Sequence, residues 1–494
     1  MLKLLKKLLI FLVLMYVLYA LTRSYVVCGG AISIIVLALI LVNVLKRSSE
    51  EPAYENYFFY ECFTDIECMQ NISMDWDDAT IDHDNVIVAL VVLIASKIVN
   101  KFILGLHKSV IRIICINTYI FLMIVWITDK VYMFYHRLST ACPNPSCQRK
   151  FKLPVYECDR CQVKHRRLTP GKYGVLKRRC QCNNIMPSTF FNGRGKLKSY
   201  CPYCGWELSG DTSSKQFTIP VVGPPSVGKT CYINMAIHSL MENTAPSKQW
   251  NISFANSSEQ KEYDTVIEAM KKGYKPAKTD FDSLTAYQLM MKIPTDSISR
   301  RIYLYDIAGE QFTRSGAVLE NKAFSYVNGI VFLIDPLSID EIRYQAEENA
   351  NTLEYGISSI EFDDVLDVML NNFDTMLKNR RMNVTINNNF AVVINKMDVP
   401  LINEQIGNSA AEKFLRENKQ CRSIVEAQSI LCREFLMKYR GNFVRKIEYK
   451  FKNVKYFACS SLGHCNNGQA YAGINVENPL LWILSMSDNG IKMM

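Results

Sequence analysis

The chain has 494 residues, of which 49% are hydrophobic, and its formal net charge at pH 7 is +10. This length accommodates two to four domains, and the composition is that of a globular chain, which excludes a wholly disordered or fibrous protein. Seventeen cysteines would indicate disulfides in a short secreted chain. Here eight of them form close pairs in one stretch, which favours metal ligation instead.

The first 140 residues contain four long apolar runs. Each approaches the roughly 20 residues that a helix needs to cross a bilayer. The runs are Leu8–Leu21, Val26–Leu45, Val86–Leu106 and Ile113–Met133. The first could instead be a signal peptide, although no small-residue cleavage site follows it. The third contains two lysines and could be a re-entrant or interfacial helix. We therefore predict a helical transmembrane region over residues 1–140.

A basic stretch follows this apolar region. Between Arg149 and Lys198 the chain carries fourteen Lys and Arg residues against Glu157 and Asp159. Such a surface attracts RNA, lipid headgroups or an acidic partner. The simpler interpretation, a solvated face of a small domain, is the favoured one, so nucleic acid is not our preferred partner.

Four close pairs of cysteines lie within residues 141–212. They are Cys142 with Cys147, Cys158 with Cys161, Cys180 with Cys182, and Cys201 with Cys204. Two pairs supply the four thiolates of a tetrahedral zinc site, so eight cysteines predict two structural zinc ions in a zinc-ribbon or treble-clef-like region. The spacing of the last two pairs is close to that of one four-thiolate site. His165, four residues after Cys161, could replace a thiolate or lie on the surface.

The segment Gly223–Thr230 reads G-x-x-x-x-G-K-[ST], which is a complete phosphate-binding loop. A β-branched run precedes it, and a helical pattern follows it. Gly223 and Gly228 permit close backbone approach and unusual dihedral angles. Because Pro224 and Pro225 have no N–H, the phosphate contacts are expected from the amides that follow. These amides belong to Ser226, Val227, Gly228, Lys229, Thr230 and Cys231.

Two side chains of this loop have predicted chemical roles. Lys229 brings a positive charge to the β- and γ-phosphates, and the Thr230 hydroxyl is a ligand for Mg²⁺. A second magnesium-binding group is Asp306, which ends a predicted strand and begins a D-x-x-G motif. The amide of Gly309 in that motif would sense the γ-phosphate and order the loop when a nucleoside triphosphate is bound. Thr279 is the best candidate for a switch threonine, with Thr285 behind it, although either could be an ordinary surface residue.

The nucleotide base is indicated by Asn395-Lys396-Met397-Asp398, which follows an apolar strand. The Asp398 carboxylate can accept the two N–H donors on the edge of guanine, and adenine lacks that pair. Lys396 would pack its stem over the base plane. A later strand leads into Ser460, Ser461 and Leu462, where a backbone amide would contact the base oxygen. The predicted ligands are therefore GTP and GDP with Mg²⁺.

Strands alternate with helices through residues 213–494. This order predicts an α/β fold with a doubly wound, mostly parallel sheet. A long insertion from Asp340 to Arg381 reads as helices, which could be a partner surface or part of a larger core. Cytosolic GTP requires this domain to face the cytosol, and an even number of membrane crossings agrees with the basic residues before and after the first two apolar runs.

The motifs GPPSVGKT, DIAGE, NKMD and CSSLG in this order resemble the TRAFAC class of P-loop GTPases. From about Cys142 onward, with the cysteine pairs and the intervening Gly193-Arg194, the chain resembles the prokaryotic double-GTPase family. The resemblance implies cytosolic GTP hydrolysis, a zinc-knuckle region before the GTPase core, often a membrane-anchored chain, and often a second, partner GTPase. We therefore expect a regulatory GTPase at a prokaryotic inner membrane.

One position departs from the Ras-like pattern. A glutamine that positions water usually follows the D-x-x-G motif, whereas here Glu310 follows it and Gln311 comes next. Hydrolysis could therefore be slow, or depend on Gln311 or on a partner. The alternative function is a nucleotide-dependent scaffold that binds GTP, scarcely hydrolyses it and docks partners through its zinc region. A third hypothesis, an ATP-driven membrane motor, would require the protein to bind adenine nucleotides in preference to guanine nucleotides.

Overall fold

The computed structural model describes most of the chain from residue 86 to residue 491. The described residues are 86–136, 138–144, 147, 149–171, 174–208, 212, 214–276, 285–306, 327–349, 358, 361–377, 386–464 and 469–491. The predicted spans Leu8–Leu21 and Val26–Leu45 lie outside them. So do four predicted site residues, which are Thr279, Gly309, Glu310 and Gln311.

The strands are numbered in chain order. Short strands in the cysteine-rich part are β1 (Thr140–Ala141), β2 (Lys150–Phe151), β3 (Val155–Glu157), β4 (Lys164–His165), β5 (Lys177–Arg179), β6 (Ile185–Pro187), β7 (Ser199–Tyr200) and β8 (Glu207–Leu208). Longer strands follow as β9 (Lys215–Val222), β10 (Asn251–Phe254), β11 (Thr285–Ile293), β12 (Asp296–Asp306), β13 (Gly329–Ile334), β14 (Ile386–Ile394) and β15 (Phe451–Ala458).

The main helices are numbered in the same way. They are α1 (Val86–Tyr135), α2 (Lys229–Ser239), α3 (Ser257–Lys271), α4 (Asp340–Asn349), α5 (Phe362–Leu377), α6 (Pro400–Ile406), α7 (Asn408–Glu417), α8 (Ile424–Lys450) and α9 (Asn478–Ser487).

The chain divides into two compact units. One contains residues up to His136 together with Val155–Lys198, and the other contains Arg137–Pro154 together with Ser199–Met494. The cysteine-rich region predicted over residues 141–212 is therefore shared between them. The first unit holds α1 and the hairpins β3–β4 and β5–β6, and the second holds the large sheet.

The large sheet has the strand order β10-β11-β12-β9-β13-β14-β15. The neighbouring pairs β12–β9, β9–β13, β13–β14 and β14–β15 are parallel. The pairs β10–β11 and β11–β12 are antiparallel. The predicted mostly parallel α/β sheet is thus confirmed. An antiparallel extension at one edge was not predicted, because a long hairpin and a parallel strand have the same apolar appearance in the sequence.

Both faces of this sheet are covered, as a doubly wound fold requires. Residues of β13 alternate between the two cores. Ile330 and Phe332 pack with α5 and α8 residues on one face, whereas Val331 and Leu333 pack with α2 and α9 residues on the other. The predicted helical insertion after β13 contributes Phe362 and Leu366 to the first core. Much of the insertion therefore forms part of a larger core.

Helix α1 corrects the prediction of two separate spans at Val86–Leu106 and Ile113–Met133. The intervening residues 107–112 include neither proline nor glycine, so the helix continues through them. Within the described part of the chain, no helix meets the combined requirements of length and apolar character for crossing a membrane. The crossings predicted in this segment are therefore not supported.

The carboxyl end of α1 is fixed to the rest of its unit by a buried ion pair. Asp129 and Arg194 are both 0% exposed, and Arg194 Nη2 lies 3.0 Å from Asp129 Oδ2. Asp129 Oδ1 also accepts a hydrogen bond from the Phe190 amide at 2.9 Å. The guanidinium donates to the carbonyl oxygens of Leu168 and Ser188 as well. Every partner thus lies in the same unit as the pair.

Replacing Asp129 with alanine is expected to destabilise this unit by about 3–5 kcal/mol, because Arg194 would become an unpaired buried cation. Hydrogen exchange of the amides in β5 and β6 measures this local free energy of opening. The exposed Asp159 of the same unit provides a control, and its substitution by alanine should leave exchange unchanged. Equal exchange in wild type and the Asp129 variant would contradict this account.

Candidate nucleotide site and cysteine clusters

The phosphate loop joins β9 to α2, as the sequence predicts. Gly223 lies against β13, where an added Cβ would come within 2.7 Å of the Leu333 carbonyl oxygen. Gly228 has φ of +92°, and Ser226 also lies in the left-handed region with φ of 61°. The left-handed backbone is unstrained at Gly228 because glycine has no Cβ. At Ser226 the same conformation costs free energy. The loop curves so that its final residues begin α2.

Lys229 turns its side chain back into the loop. Its Nζ donates hydrogen bonds to the carbonyl oxygens of Gly223 at 3.0 Å and Pro224 at 2.9 Å. The residue is buried at the beginning of α2. These contacts hold the ammonium group in the loop, where phosphate oxygens would be stronger, charge-assisted partners.

The two predicted magnesium ligands lie together. Thr230 Oγ1 donates to Asp306 Oδ2 at 2.8 Å, although the residues are far apart in sequence. The parallel pairing of β9 and β12 produces this contact, because it brings their carboxyl ends to the same edge of the sheet. A hydroxyl and a carboxylate are oxygen ligands of the kind that Mg²⁺ prefers, so the pair fits the ion. Thr285, the second switch candidate, pairs in register with Asp306.

Asn395 connects the phosphate loop to the base loop, which is the loop of Ser460, Ser461 and Leu462. Its Nδ2 donates to the Val227 carbonyl oxygen at 2.8 Å. Its Oδ1 accepts from the Ser461 amide at 3.0 Å and the Ser461 hydroxyl at 2.9 Å. The predicted contact between a backbone amide of this loop and the base oxygen stays a prediction, and the Ser461 amide donates to Asn395. Asn395 therefore sets the separation between the phosphate and base ends of the site.

The predicted base-reading carboxylate is also held in place. Asp398 Oδ1 accepts a hydrogen bond from Ser460 Oγ at 2.5 Å, and that oxygen in turn accepts one from the Gly463 amide at 2.7 Å. Gly463 has φ of +81°. This chain of bonds orients the Asp398 carboxylate, which reduces the entropy lost when a base binds.

These motifs line one pocket. Its wall consists of Ser226, Val227, Gly228, Cys231, Lys275, Asn395, Lys396, Asp398, Ser460, Ser461, Leu462 and His464. Sequence reasoning missed Lys275 and His464, since neither belongs to a recognised motif. Burial raises the pKa of the Cys231 thiol to about 11, so this thiol is neutral at physiological pH.

Lys396, the lysine predicted to cover the base, has a partner that the sequence did not reveal. Lys396 Nζ lies 2.6 Å from Oδ2 of Asp335, which is 0% exposed and follows β13 directly. We predicted only that the Lys396 stem would pack over the base. The signal available in the sequence was the Asp335-Pro336 step, which directly follows an apolar strand.

The eight cysteines form two separate clusters. One contains Cys142, Cys147, Cys201 and Cys204, and the other contains Cys158, Cys161, Cys180 and Cys182, with the sulfur atoms of each cluster within 4.8 Å of one another. The first pair therefore joins the last, and the two middle pairs join each other. This corrects the pairing of the last two pairs suggested by spacing. Each cluster lies within one compact unit.

The sulfur separations fit a tetrahedral metal site. The distances between sulfur atoms are 3.5 Å for Cys142 with Cys204, 3.9 Å for Cys147 with Cys201, 3.6 Å for Cys158 with Cys182, and 3.4 Å for Cys161 with Cys180. Zinc–sulfur bonds of about 2.3 Å in a tetrahedron separate the sulfurs by roughly 3.8 Å. A disulfide would bring them to about 2.05 Å.

The turns beside these cysteines have a common form. Gln162, Asn183 and Gly205 each follow the second cysteine of a pair, and their φ angles are 62°, 63° and 74°. Their amides donate to the carbonyl oxygens of the first cysteines, Cys158, Cys180 and Cys201. This tight turn presents both thiols of a pair to one point.

Polar side chains lie next to the inner cluster, which is the cluster of Cys158, Cys161, Cys180 and Cys182. Burial raises the pKa of Cys158, but hydrogen bonds led by that from the Asn184 side chain lower it to about 6. His165 Nε2 lies 3.2 Å from Cys180 Sγ. Burial and the charge of Arg178 lower the pKa of His165, so its imidazole is neutral. The structure therefore places His165 beside a complete set of four thiols.

Comparison with known proteins bears on the nucleotide site. No curated protein matches the chain. The model of the family double-GTPase 2 matches residues 217–432, which include the phosphate loop, Asp306 and the segment from Asn395 to Asp398. The match supports a double-GTPase family for this chain, and with it the binding of a guanine nucleotide.

Proposed function

We propose that this protein is a membrane-anchored GTPase switch that binds GTP with Mg²⁺, hydrolyses it to GDP and phosphate, and contains two structural zinc ions. One observation carries the nucleotide part of the proposal. Asn395 bonds both to Val227 in the phosphate loop and to Ser461 in the base loop, beside an oriented Asp398. A phosphate-binding end and a guanine-reading end are thus parts of one connected pocket.

Each residue of this pocket has a role in the proposal. The loop amides from Ser226 onward and Lys229 bind the phosphates, which the positive end of the α2 dipole also favours. Thr230 and Asp306 hold Mg²⁺, which neutralises charge on the phosphates when it is bound. Asp398 accepts the two N–H donors of guanine, and Lys396 covers the base.

Zinc has a structural role in this proposal. Four thiols complete the coordination of each ion, so no position stays open for substrate or water. The short strands around the clusters bury few apolar side chains, and metal binding would supply the missing stability. His165 would donate a hydrogen bond to the Cys180 thiolate instead of replacing it.

Membrane attachment is the part of the proposal that rests on sequence. The runs Leu8–Leu21 and Val26–Leu45 supply it, and two crossings leave the GTPase domain in the cytosol. We assign this to a prokaryotic inner membrane, with a partner protein or second GTPase that reads the switch. The alternative is a GTP-binding scaffold with little hydrolysis, which the unusual Glu310 favours.

Hydrolysis is tested at the two residues after the D-x-x-G motif. We expect Gln311→Ala to slow single-turnover GTP hydrolysis about a hundredfold while GTP affinity is unchanged, because Gln311 would orient the attacking water. Glu310→Ala, the matched neighbour, should have a small effect. Rapid-quench measurement with excess protein and Mg²⁺ separates this step from product release. Absence of any turnover in wild type, with or without a co-encoded partner, would favour the scaffold.

A further inference from the structure

Asp335 occupies a position that connects the base site to another part of the domain. It follows β13, and its carboxylate is fully buried. Oδ1 accepts a hydrogen bond from the Leu337 amide at 3.1 Å. Oδ2 accepts two, from Lys396 Nζ at 2.6 Å and from the Ser358 amide at 3.2 Å. A carboxylate is stable in such a buried place only because it is paired and hydrogen-bonded.

Lys396 depends on this partner for its position. Its backbone has φ of 58°, which is uncommon for a residue other than glycine and persists only where the surroundings impose it. The Val399 amide donates to the Lys396 carbonyl oxygen at 3.1 Å and fixes the backbone. The side chain is 13% exposed, so its ammonium group requires an anion close by. Asp335 is that anion.

We propose that Asp335 is a positioning residue for guanine recognition, and that the Ser358 amide, which donates to it, slows nucleotide release. This rests on the proposed binding of guanine nucleotides. Asp335 holds Lys396 where its stem covers the base. Because Oδ2 is shared, the Ser358 amide helps to fix the oxygen that binds Lys396. Loss of the Ser358 contact would loosen Lys396 and speed the release of GDP.

The first test separates base recognition from general damage. In Asp335→Asn, GDP should bind about tenfold more weakly, because a charge-assisted bond to Lys396 is lost. Tripolyphosphate, which occupies the phosphate loop and lacks a base, should bind as in wild type. In a Lys396→Ala background, the Asp335→Asn change should have no further effect on GDP affinity. Isothermal titration of the full chain with Mg²⁺ provides all of these affinities.

The second test concerns the Ser358 amide. Ser358→Pro removes the amide that donates to Asp335, whereas Ser358→Ala retains it and serves as the matched control. The dissociation rate of a fluorescent GDP should rise severalfold in the proline variant and stay at the wild-type value in the alanine variant. Equal rates in the two variants would overturn the proposed control of release.

The outcomes also distinguish this inference from the proposed function. If wild type binds GDP no better than ADP, the proposed function fails. If wild type prefers GDP and Asp335→Asn binds it equally well, only the present inference fails. A loss of tripolyphosphate affinity as large as the loss of GDP affinity would also overturn it, since Asp335 would then support the domain in general.

Discussion

Replacing Asp398 with asparagine is expected to weaken GDP binding about a hundredfold or more, because two charge-assisted hydrogen bonds are affected at once. The Asp398 carboxylate offers two acceptor oxygens, of which Oδ1 is oriented by Ser460. Guanine presents two N–H donors to them. Asparagine offers one acceptor and one NH₂ donor, so the amino group of guanine would face another donor.

The same substitution should favour a different base. Xanthine has a carbonyl oxygen where guanine has its amino group, and the asparagine NH₂ can donate to that oxygen. We therefore expect Asp398→Asn to prefer xanthosine diphosphate over GDP in calorimetric titrations. Asp364→Asn, an exposed acidic residue in α5, controls for the change in net charge. Unchanged GDP affinity in the Asp398 variant would exclude this residue from base recognition.

The arrangement of the cysteine pairs, in which the first pair joins the last and the two middle pairs join each other, predicts which variants lose zinc. Cys180→Ser with Cys201→Ser removes one ligand from each cluster, so we expect both zinc ions to be lost after dialysis against a chelator. Cys142→Ser with Cys201→Ser removes two ligands from one cluster and should leave one zinc ion per chain. If consecutive pairs formed the sites, the two double variants would exchange these results.

The stability effect of these variants should be large. Structural zinc contributes roughly 10 kcal/mol or more of apparent binding free energy in small zinc domains. The inner cluster packs with Tyr156, Leu168 and Met186, which form only a small apolar group. We therefore expect hydrogen exchange in β5 and β6 to rise sharply when the inner ligands are replaced. Elemental analysis of wild type should find two zinc ions, and a chain without zinc would contradict the assignment.

The sequence was sufficient for the nucleotide motifs because each depends on a short, contiguous segment. Gly223–Thr230 runs from the end of β9 into the first residues of α2 as expected, and the segment from Asn395 to Asp398 follows β14. A parallel sheet then brings such segments to one edge, so the meeting of Thr230 with Asp306 follows from the order of the strands.

The cysteine pairing could not be settled from spacing. Eighteen residues separate Cys161 from Cys180, and eighteen also separate Cys182 from Cys201. Both arrangements satisfy the same spacing rule for a four-thiolate site. The choice depends on which turns approach one another in three dimensions, and no local pattern encodes that.

Asp335 and α1 are two other features that could not be predicted from the sequence. The bond between Asp335 and Lys396 joins residues 61 positions apart, and only the adjacent parallel strands β13 and β14 bring them together. In α1, the runs Val86–Leu106 and Ile113–Met133 were predicted as separate spans, although basic residues lie between them in one continuous helix. Helix formation depends on backbone hydrogen bonds and tolerates basic side chains, so the helix continued.

The central claim, a guanine-specific nucleotide site, is tested most directly by titrating the full chain with GDP and with ADP in the presence of Mg²⁺. The account predicts that GDP binds at least about a hundredfold more tightly, since Asp398 finds two donors on guanine and none in the matching positions of adenine. Equal affinities for the two nucleotides would contradict it.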